Sequence, residues 1–273
     1  ETGIVATVSS FLHQAGLNII ESNQFGDIKT GRFFMRVAFT TADPSSDVKQ
    51  ADLKEEFKEI SDQFGMDWKL FDMNVNTLAV IMVSKFDHCL VDLLYRRRIG
   101  TLKMDIAAVI SNHDTTREIV NRENIPFHHI PVTSDTKKDA EDKIRKIIAD
   151  RGAELIILAR YMQILSTDMA NSYPGQIINI HHSFLPSFKG AEPYSQAYHR
   201  GVKMIGATAH YVTPNLDEGP IIAQQVVPVR HDMSVEDMIG AGQEIEQSVM
   251  AKAIRAHTEH RILLNEGKTV VFD

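Results

Sequence analysis

The stretch TLAVIMVS, from Thr77 to Ser84, is an almost unbroken apolar run rather than an alternation of apolar and polar residues. Such a run is typical of a strand in a parallel sheet that helices cover on both faces. Helical and strand patterns then alternate down the chain as far as QIINIHH, residues 176–182. This alternation predicts an open, mostly parallel α/β sheet of the Rossmann-like type, joined by right-handed crossovers.

The same patterns place the other elements of this part of the chain. Strands are predicted at 77–84, 105–111, 127–132, 153–159, 176–182, 206–212 and 220–230, and helices at 89–98, 115–123 and 138–152. A last, long helix is expected from Ser234 to Glu266, with an interruption near Gly240 and Gly242, because glycine weakens a helix.

The first 74 residues follow a different order of elements. The pattern predicts a helix at 3–16, strands at 17–25 and 32–40, a helix at 47–65 and a strand at 66–75. We therefore divide the 273 residues into a small α+β domain, 1–74, and a larger α/β domain, 75–273.

Composition narrows the class of protein. The net charge of −7 argues against a general nucleic-acid binder, which would show a basic face. Cys89 is the only cysteine, so no disulfide framework is expected, and it is more often a packing residue than a nucleophile in such a setting. The chain shows neither an apolar run of about 18 residues nor a signal-peptide pattern, so we expect a soluble, cytoplasmic protein without a membrane partner.

Polar residues cluster where the predicted strand 176–182 ends. Side chains alternate along a strand, so Asn179 and His181 point the same way. The asparagine amide can donate to a developing oxyanion, and the imidazole can move a proton near neutral pH. Ligands of open α/β sheets bind at the carboxyl ends of the strands, where these residues lie. The pair suits nucleophilic addition to a small carbonyl, although spacing alone leaves a structural role equally open.

A carboxylate has to come from elsewhere in the chain. Asp217, in the loop TPNLDEGP, is the best candidate, with His210 on the preceding strand as its support. A carboxylate beside a histidine can orient the ring or accept a proton from an attacking water. The histidines show no metal-ligand spacing such as H-E-x-x-H, and there is no G-x-G-x-x-G or P-loop. We therefore expect neither a metal nor a cofactor.

Three segments together resemble the folate-dependent formyltransferase family. They are INIHHSFLPSFKG, GATAHYVTPNLDEGPIIAQ and ARYMQILS, the last spanning Ala159 to Ser166. The resemblance implies that Asn179, His181 and Asp217 surround the formyl group of 10-formyltetrahydrofolate, which is the substrate. It implies pterin contacts from Met162, Gln163, Ile164 and Leu165. Ser183 is expected to brace the strand end and Lys189 to attract the glutamate tail of the folate, although structural roles suit both equally well.

Members of this family differ in the acceptor that attacks the formyl carbon. The loop that cradles a substrate phosphate in glycinamide ribonucleotide transformylases reads VSKFDHCLVDLL here, without glycine and with Asp87. That departure favours water as the acceptor, and His182 after His181 is similar to the deformylases. Such an enzyme releases tetrahydrofolate and formate and so serves one-carbon and purine metabolism. The alternatives are a formyltransferase with an amine acceptor and a folate sensor without turnover.

The first domain resembles an ACT domain, on the segments GIVATVSSFLHQAGLNIIESNQF and GRFFMRVAF. An ACT domain ahead of a formyltransferase-like domain is the arrangement of the formyltetrahydrofolate deformylases. The resemblance implies a homo-oligomer and an amino-acid effector at Gly16, Leu17 and Asn18, although Gly16 suits a plain helix stop as well. The sequence opens at Glu1-Thr2-Gly3, without the leading strand that ACT domains usually have.

Overall fold

A computed structural model describes residues 2–43, 48–186 and 193–273. The chain divides into two compact units, one of Glu1–Val75 with Phe272–Asp273 and one of Asn76–Val271. Within the described residues, no helix combines the length and the apolar character that crossing a membrane requires.

The first unit is a helix-flanked hairpin. Its elements are α1 (Ile4–Gln14), β1 (Leu17–Asp27), β2 (Arg32–Thr41) and α2 (Gln50–Phe64). The two strands pair antiparallel, and Leu12, Leu17 and Leu53 form a small core. The predicted strand at 66–75 is wrong, because those residues lie outside any strand. A strand needs a neighbouring strand for its backbone hydrogen bonds, and within the described residues of this unit only β1 and β2 pair.

The second unit contains the predicted α/β sheet. Its elements are β3 (Thr77–Val83), α3 (His88–Arg98), β4 (Met104–Ser111), α4 (Arg117–Arg122), β5 (Phe127–His129), α5 (Lys137–Arg151), β6 (Leu155–Leu158), α6 (Thr167–Ser172), β7 (Ile177–His181), α7 (Pro193–Arg200), β8 (Met204–Tyr211), β9 (Ile221–Pro228), α8 (Val235–Thr258), β10 (Ile262–Asn265) and β11 (Lys268–Val271). The first seven of these strands form one sheet in the order β5-β4-β3-β6-β7-β8-β9. All its pairs are parallel except β7–β8 and β8–β9, so the mostly parallel sheet is confirmed.

Burial on both faces explains the apolar character of the central strand. Every residue from Ala79 to Val83 is fully buried. Ile81 and Val83 pack into a core that includes α3 and α8, whereas Val80 and Met82 pack into a second core that includes α5. The unbroken run in β3 therefore reflects the covering of the sheet on both sides.

The C-terminal prediction needs two corrections. Helix α8 is continuous through Gly240 and Gly242. Gly242 serves close packing rather than a helix break, because a Cβ there would lie 2.0 Å from the Tyr194 hydroxyl oxygen. The helix also ends at Thr258 rather than near 266, and the antiparallel hairpin β10–β11 follows. Glu266 and Gly267 turn that hairpin, both with positive φ angles, which suits a type I′ turn.

The strand order defines where a ligand crevice opens. The chain runs from β3 outward to β4 and β5, then returns to the other side of β3 with β6 and continues outward to β7. Strand order therefore reverses between β3 and β6, and such a switch point leaves a crevice at the carboxyl ends of the two strands.

Candidate active site

Strand pairing brings Asn179 and His210 together. They are register partners in the antiparallel pair β7–β8, and the Asn179 Nδ2 atom lies 3.3 Å from His210 Nε2. His181 is two residues further along β7 and is buried, with 6% of its surface exposed. The predicted Asn179 and His181 therefore share one face with His210 opposite them.

Asp217 joins this group from the loop between β8 and β9. Its Oδ2 atom lies 3.3 Å from His181 Nδ1, and its Oδ1 atom lies 3.7 Å from His210 Nε2. The backbone of Asp217 is left-handed, with φ of 56°. Gly219 lets the loop pass close to β8, since a Cβ there would lie 1.7 Å from the carbonyl oxygen of Tyr211. The loop is thus folded tightly enough to direct its carboxylate between two imidazoles.

The charge of Asp217 follows from these contacts. Burial alone would raise the pKa of Asp217, but hydrogen bonds and charge interactions with His181 and His210 outweigh burial and hold its pKa well below the ordinary value. The carboxylate stays ionised and can only accept hydrogen bonds. His181 Nδ1 is therefore the donor to Asp217, which leaves Nε2 as the other ring nitrogen. Nε2 is buried and has no hydrogen-bond partner among the described residues.

His210 orients the amide of Asn179. Its Nδ1 lies 2.8 Å from the carbonyl oxygen of Tyr211, which can only accept, so Nδ1 carries a proton. When His210 is neutral, its Nε2 accepts a hydrogen bond from the Asn179 Nδ2 amide. When His210 is protonated, the same Nε2 donates towards Asp217 Oδ1 instead. The second N–H of the Asn179 amide remains available for a ligand.

The chain beyond His181 is fixed to β8 through Thr208. The Thr208 hydroxyl donates to the carbonyl oxygen of Ser183 at 2.9 Å and accepts from the Leu185 amide at 3.0 Å. Ser183 is itself buried, and its bracing role stays a prediction. Lys189, which was predicted to attract the folate tail, lies outside the described residues.

Exposed apolar side chains follow three neighbouring strands of the sheet, β3, β6 and β7. Met162 and Ile164, in the loop after β6, are 51% and 60% exposed, whereas Gln163 and Leu165 are half-buried. Phe86 follows β3 and Phe184 follows β7, and both are exposed as well. The Met162 amide donates to Ser84 Oγ at 2.9 Å, which fixes the loop after β6 to the end of β3. These exposed apolar groups are available to contact an apolar part of a ligand.

Sequence reasoning missed a second polar cluster beside this site. It is centred on Glu246 of α8, and its other members are His88, Arg160, His182 and Tyr194; we call it the Glu246 cluster. Glu246 is 1% exposed and Arg160 is 9% exposed. The sequence feature that could have indicated this cluster is Glu246 itself, a charged residue among the mostly apolar residues that α8 buries.

The predicted effector residues belong to the first unit. Gly16 has φ of 69° and follows α1, Leu17 is buried, and Asn18 is exposed in β1. The left-handed glycine suits the end of a helix.

Comparison with known proteins defines the family. Residues 78–254 match the formyl transferase family. Formyltetrahydrofolate deformylases from Corynebacterium sp. (strain P-1) and Bacillus subtilis (strain 168) are 49% and 46% identical, over 98% and 100% of this chain and 93% and 91% of theirs. The crystal structure of a formyltetrahydrofolate deformylase from Pseudomonas syringae pv. tomato str. DC3000 superposes with a TM-score of 0.96 at 45% identity, covering 100% of this chain and 91% of that one. The chain therefore belongs to the formyl transferase family and, within it, to the formyltetrahydrofolate deformylases.

Proposed function

We propose that this chain is a hydrolase that converts 10-formyltetrahydrofolate and water to tetrahydrofolate and formate. The observation that carries the proposal is the buried Nε2 atom of His181, which has no partner among the described residues. An ionised Asp217 holds the ring beside the amide of Asn179. Full-length similarity to formyltetrahydrofolate deformylases supports the substrate and the reaction.

In this proposal the pterin binds against the loop from Met162 to Leu165, with the formyl group directed towards His181. The exposed apolar side chains of Met162 and Ile164 support that placement. In that position His181 Nε2 can take a proton from a water that attacks the formyl carbon. The second N–H of Asn179 can donate to the formyl oxygen.

Hydrolysis begins when water attacks the formyl carbon. His181 Nε2 takes one proton from the water as the C–O bond forms, and the carbonyl electron pair moves to oxygen. Asp217 is a poor base because its pKa is depressed, so we assign it to orienting His181 and stabilising the imidazolium. The amide of Asn179 donates to the oxyanion.

Collapse of the tetrahedral intermediate completes the reaction. The oxyanion reforms the carbonyl, the bond from carbon to the folate nitrogen breaks, and that nitrogen takes the proton from His181 Nε2. Formic acid loses its remaining acidic proton to solvent and leaves as formate. His181 returns to its neutral form, ready for the next water.

The test is to incubate the purified protein with 10-formyltetrahydrofolate alone and to measure tetrahydrofolate and formate. Equal release of both without an added amine is the expected result. Folate binding without formate, followed by formylation of an added amine, would contradict hydrolysis and favour an amine-dependent formyltransferase.

We also propose that residues 1–74 form an ACT-like regulatory domain of a cytoplasmic homo-oligomer that serves one-carbon and purine metabolism. The packing of α1, α2 and the β1–β2 hairpin around one core supports the first part, and a single, buried cysteine, Cys89, fits a reducing compartment. Gly16, Leu17 and Asn18 are the proposed effector contacts. Calorimetry with glycine and with methionine tests them, and the absence of heat with either amino acid would contradict binding of that effector.

A further inference from the structure

Arg160 occupies the switch point of the sheet. It follows β6, and its carbonyl oxygen accepts a hydrogen bond of 3.2 Å from the Ser84 amide at the end of β3. Its backbone is left-handed, with φ of 64°, which is uncommon for a residue with a side chain. Its guanidinium lies 5.4 Å from the ring centre of Phe86. A buried cation therefore lies at the crevice where sheets of this type bind ligands.

Glu246 balances the charge of Arg160 but does not satisfy its hydrogen bonds. Glu246 Oε1 accepts from the Tyr194 hydroxyl at 2.8 Å, and Oε2 lies 2.8 Å from His88 Nε2. Arg160 Nε lies 3.3 Å from the same Oε2, close enough for an ion pair, but it is not aligned for a hydrogen bond. Tyr194 and His88 therefore donate to the two carboxylate oxygens of Glu246, and Arg160 is held beside this carboxylate by charge.

Two donor atoms of Arg160 remain without a partner. Nε and Nη1 are buried and make no hydrogen bond with any described residue. A buried charged donor without an acceptor is costly, so such groups in folded proteins are generally met by water or a ligand. The guanidinium can therefore receive an acceptor that the described residues do not supply.

A metal ion is the other ligand that this cluster suggests. The ligand atoms of His88, Cys89 and Glu246 lie within 4.8 Å of one another. However, burial raises the pKa of Cys89 far above neutrality, with the charge of Glu246 adding to the effect, so the thiol stays protonated. Arg160 already places a positive charge 3.3 Å from the carboxylate oxygen that would bind the ion. The cluster is suited to an anion rather than a cation.

His182 connects this cluster to the proposed catalytic group. It follows His181, and the two ring centres are 5.1 Å apart, while the ring of Tyr194 lies 6.3 Å from that of His182. Burial, together with the positive charges of Arg160 and His181, lowers the pKa of His182 to about 4. At neutral pH the His182 ring is therefore uncharged, and Arg160 is left as the cation that faces an incoming anion.

We propose that Arg160 forms the core of a product subsite that binds a small monocarboxylate, namely formate. A guanidinium binds a carboxylate through charge-assisted hydrogen bonds, and formate is the smallest carboxylate. This inference rests on the proposed hydrolysis, which releases formate beside His181, one residue before His182 in the chain.

The experiment compares the wild type with Arg160→Gln, using sodium formate as the probe and sodium chloride to match ionic strength. We expect formate to inhibit release of tetrahydrofolate by the wild type and to act at least tenfold more weakly on Arg160→Gln. Arg230→Gln is the matched control, because Arg230 is exposed and pairs with Asp232. It should keep the formate sensitivity of the wild type. Equal sensitivity of the wild type and Arg160→Gln would overturn the proposal, as would a wild type that turns over but does not respond to formate.

A binding measurement separates this inference from the proposed function. Broadening of the nuclear magnetic resonance line of ¹³C-formate by the folate-free protein reports the subsite without catalysis. We expect broadening with the wild type and its loss with Arg160→Gln. If Arg160→Gln does not fold by circular dichroism, the double variant Arg160→Gln with Glu246→Gln removes both charges together and takes its place. Failure of the wild type to hydrolyse 10-formyltetrahydrofolate would reject the proposed function. The line-broadening measurement would still show whether formate binds at Arg160.

Discussion

Asp217→Asn isolates the charge of the proposed orienting carboxylate. The side chains have nearly the same shape, so the change removes the negative charge 3.3 Å from His181 Nδ1 and leaves the loop in place. At that distance, with an effective dielectric constant of about 20, a carboxylate and an imidazolium attract each other by about 5 kcal/mol. Since about 1.4 kcal/mol corresponds to a tenfold change in rate, we expect kcat to fall by about 10³–10⁴-fold.

The assay is steady-state release of formate from 10-formyltetrahydrofolate, with tetrahydrofolate binding measured in parallel. Binding should change only a few-fold, because the proposed pterin contacts lie elsewhere, at Met162 to Leu165. Asp232→Asn is the control, since Asp232 is an exposed carboxylate paired with Arg230, and its kcat should match the wild type. An Asp217→Asn variant that keeps more than about a tenth of the wild-type kcat would refute the role of this charge.

Three further predictions follow from the geometry. Asn179→Ala should lower kcat by about 10²–10³-fold through loss of the oxyanion donor, and steady-state kinetics with unchanged kcat would contradict that role. Gly242→Ala places a methyl group 2.0 Å from the Tyr194 hydroxyl oxygen and should lower the free energy of unfolding in urea by about 2 kcal/mol. Gly240→Ala, on the same helix with nothing within 4 Å, should raise it by about 0.5–1 kcal/mol, and equal effects of the two would argue against the contact. The pKa of Asp217 is lower in the folded chain than in the unfolded chain, so its charge stabilises the fold above the unfolded pKa of about 4 and this stabilisation is lost on acidification. The stability difference between the wild type and Asp217→Asn should therefore shrink from about pH 5 to about pH 3, and a difference independent of pH would contradict the shift.

Local patterns were sufficient to predict the sheet and one side of the site. The apolar run of β3 and the period of two in β7 are properties of adjacent residues, so they placed Asn179 and His181 on one face at the correct edge. Asp217 was predicted as a carboxylate in the loop that joins two neighbouring predicted strands. These positions could be predicted because each depends on residues close to it in the chain.

The missed features depend on partners that are distant in the sequence. Glu246 and Arg160 are 86 positions apart, and nothing near either of them indicates that α8 reaches the end of β6. The strand expected at 66–75 had suitable residues, but a strand also needs a neighbour that accepts its hydrogen bonds. Gly242 was interpreted as a helix break because its reason, the ring of Tyr194, lies on another helix.

The hydrogen-bonded strand pair β7–β8 contains Asn179, His181 and His210, whereas Asp217 lies in a loop. The three strand residues can move apart only if the sheet itself opens, which draws on the global stability of the domain. The carboxylate can leave by opening of residues 212–220 alone. Under the proposed role of Asp217, we therefore expect activity to depend on a local opening equilibrium of this loop. Amide hydrogen exchange should show it as fast exchange in that loop beside slow exchange at Asn179 and His210.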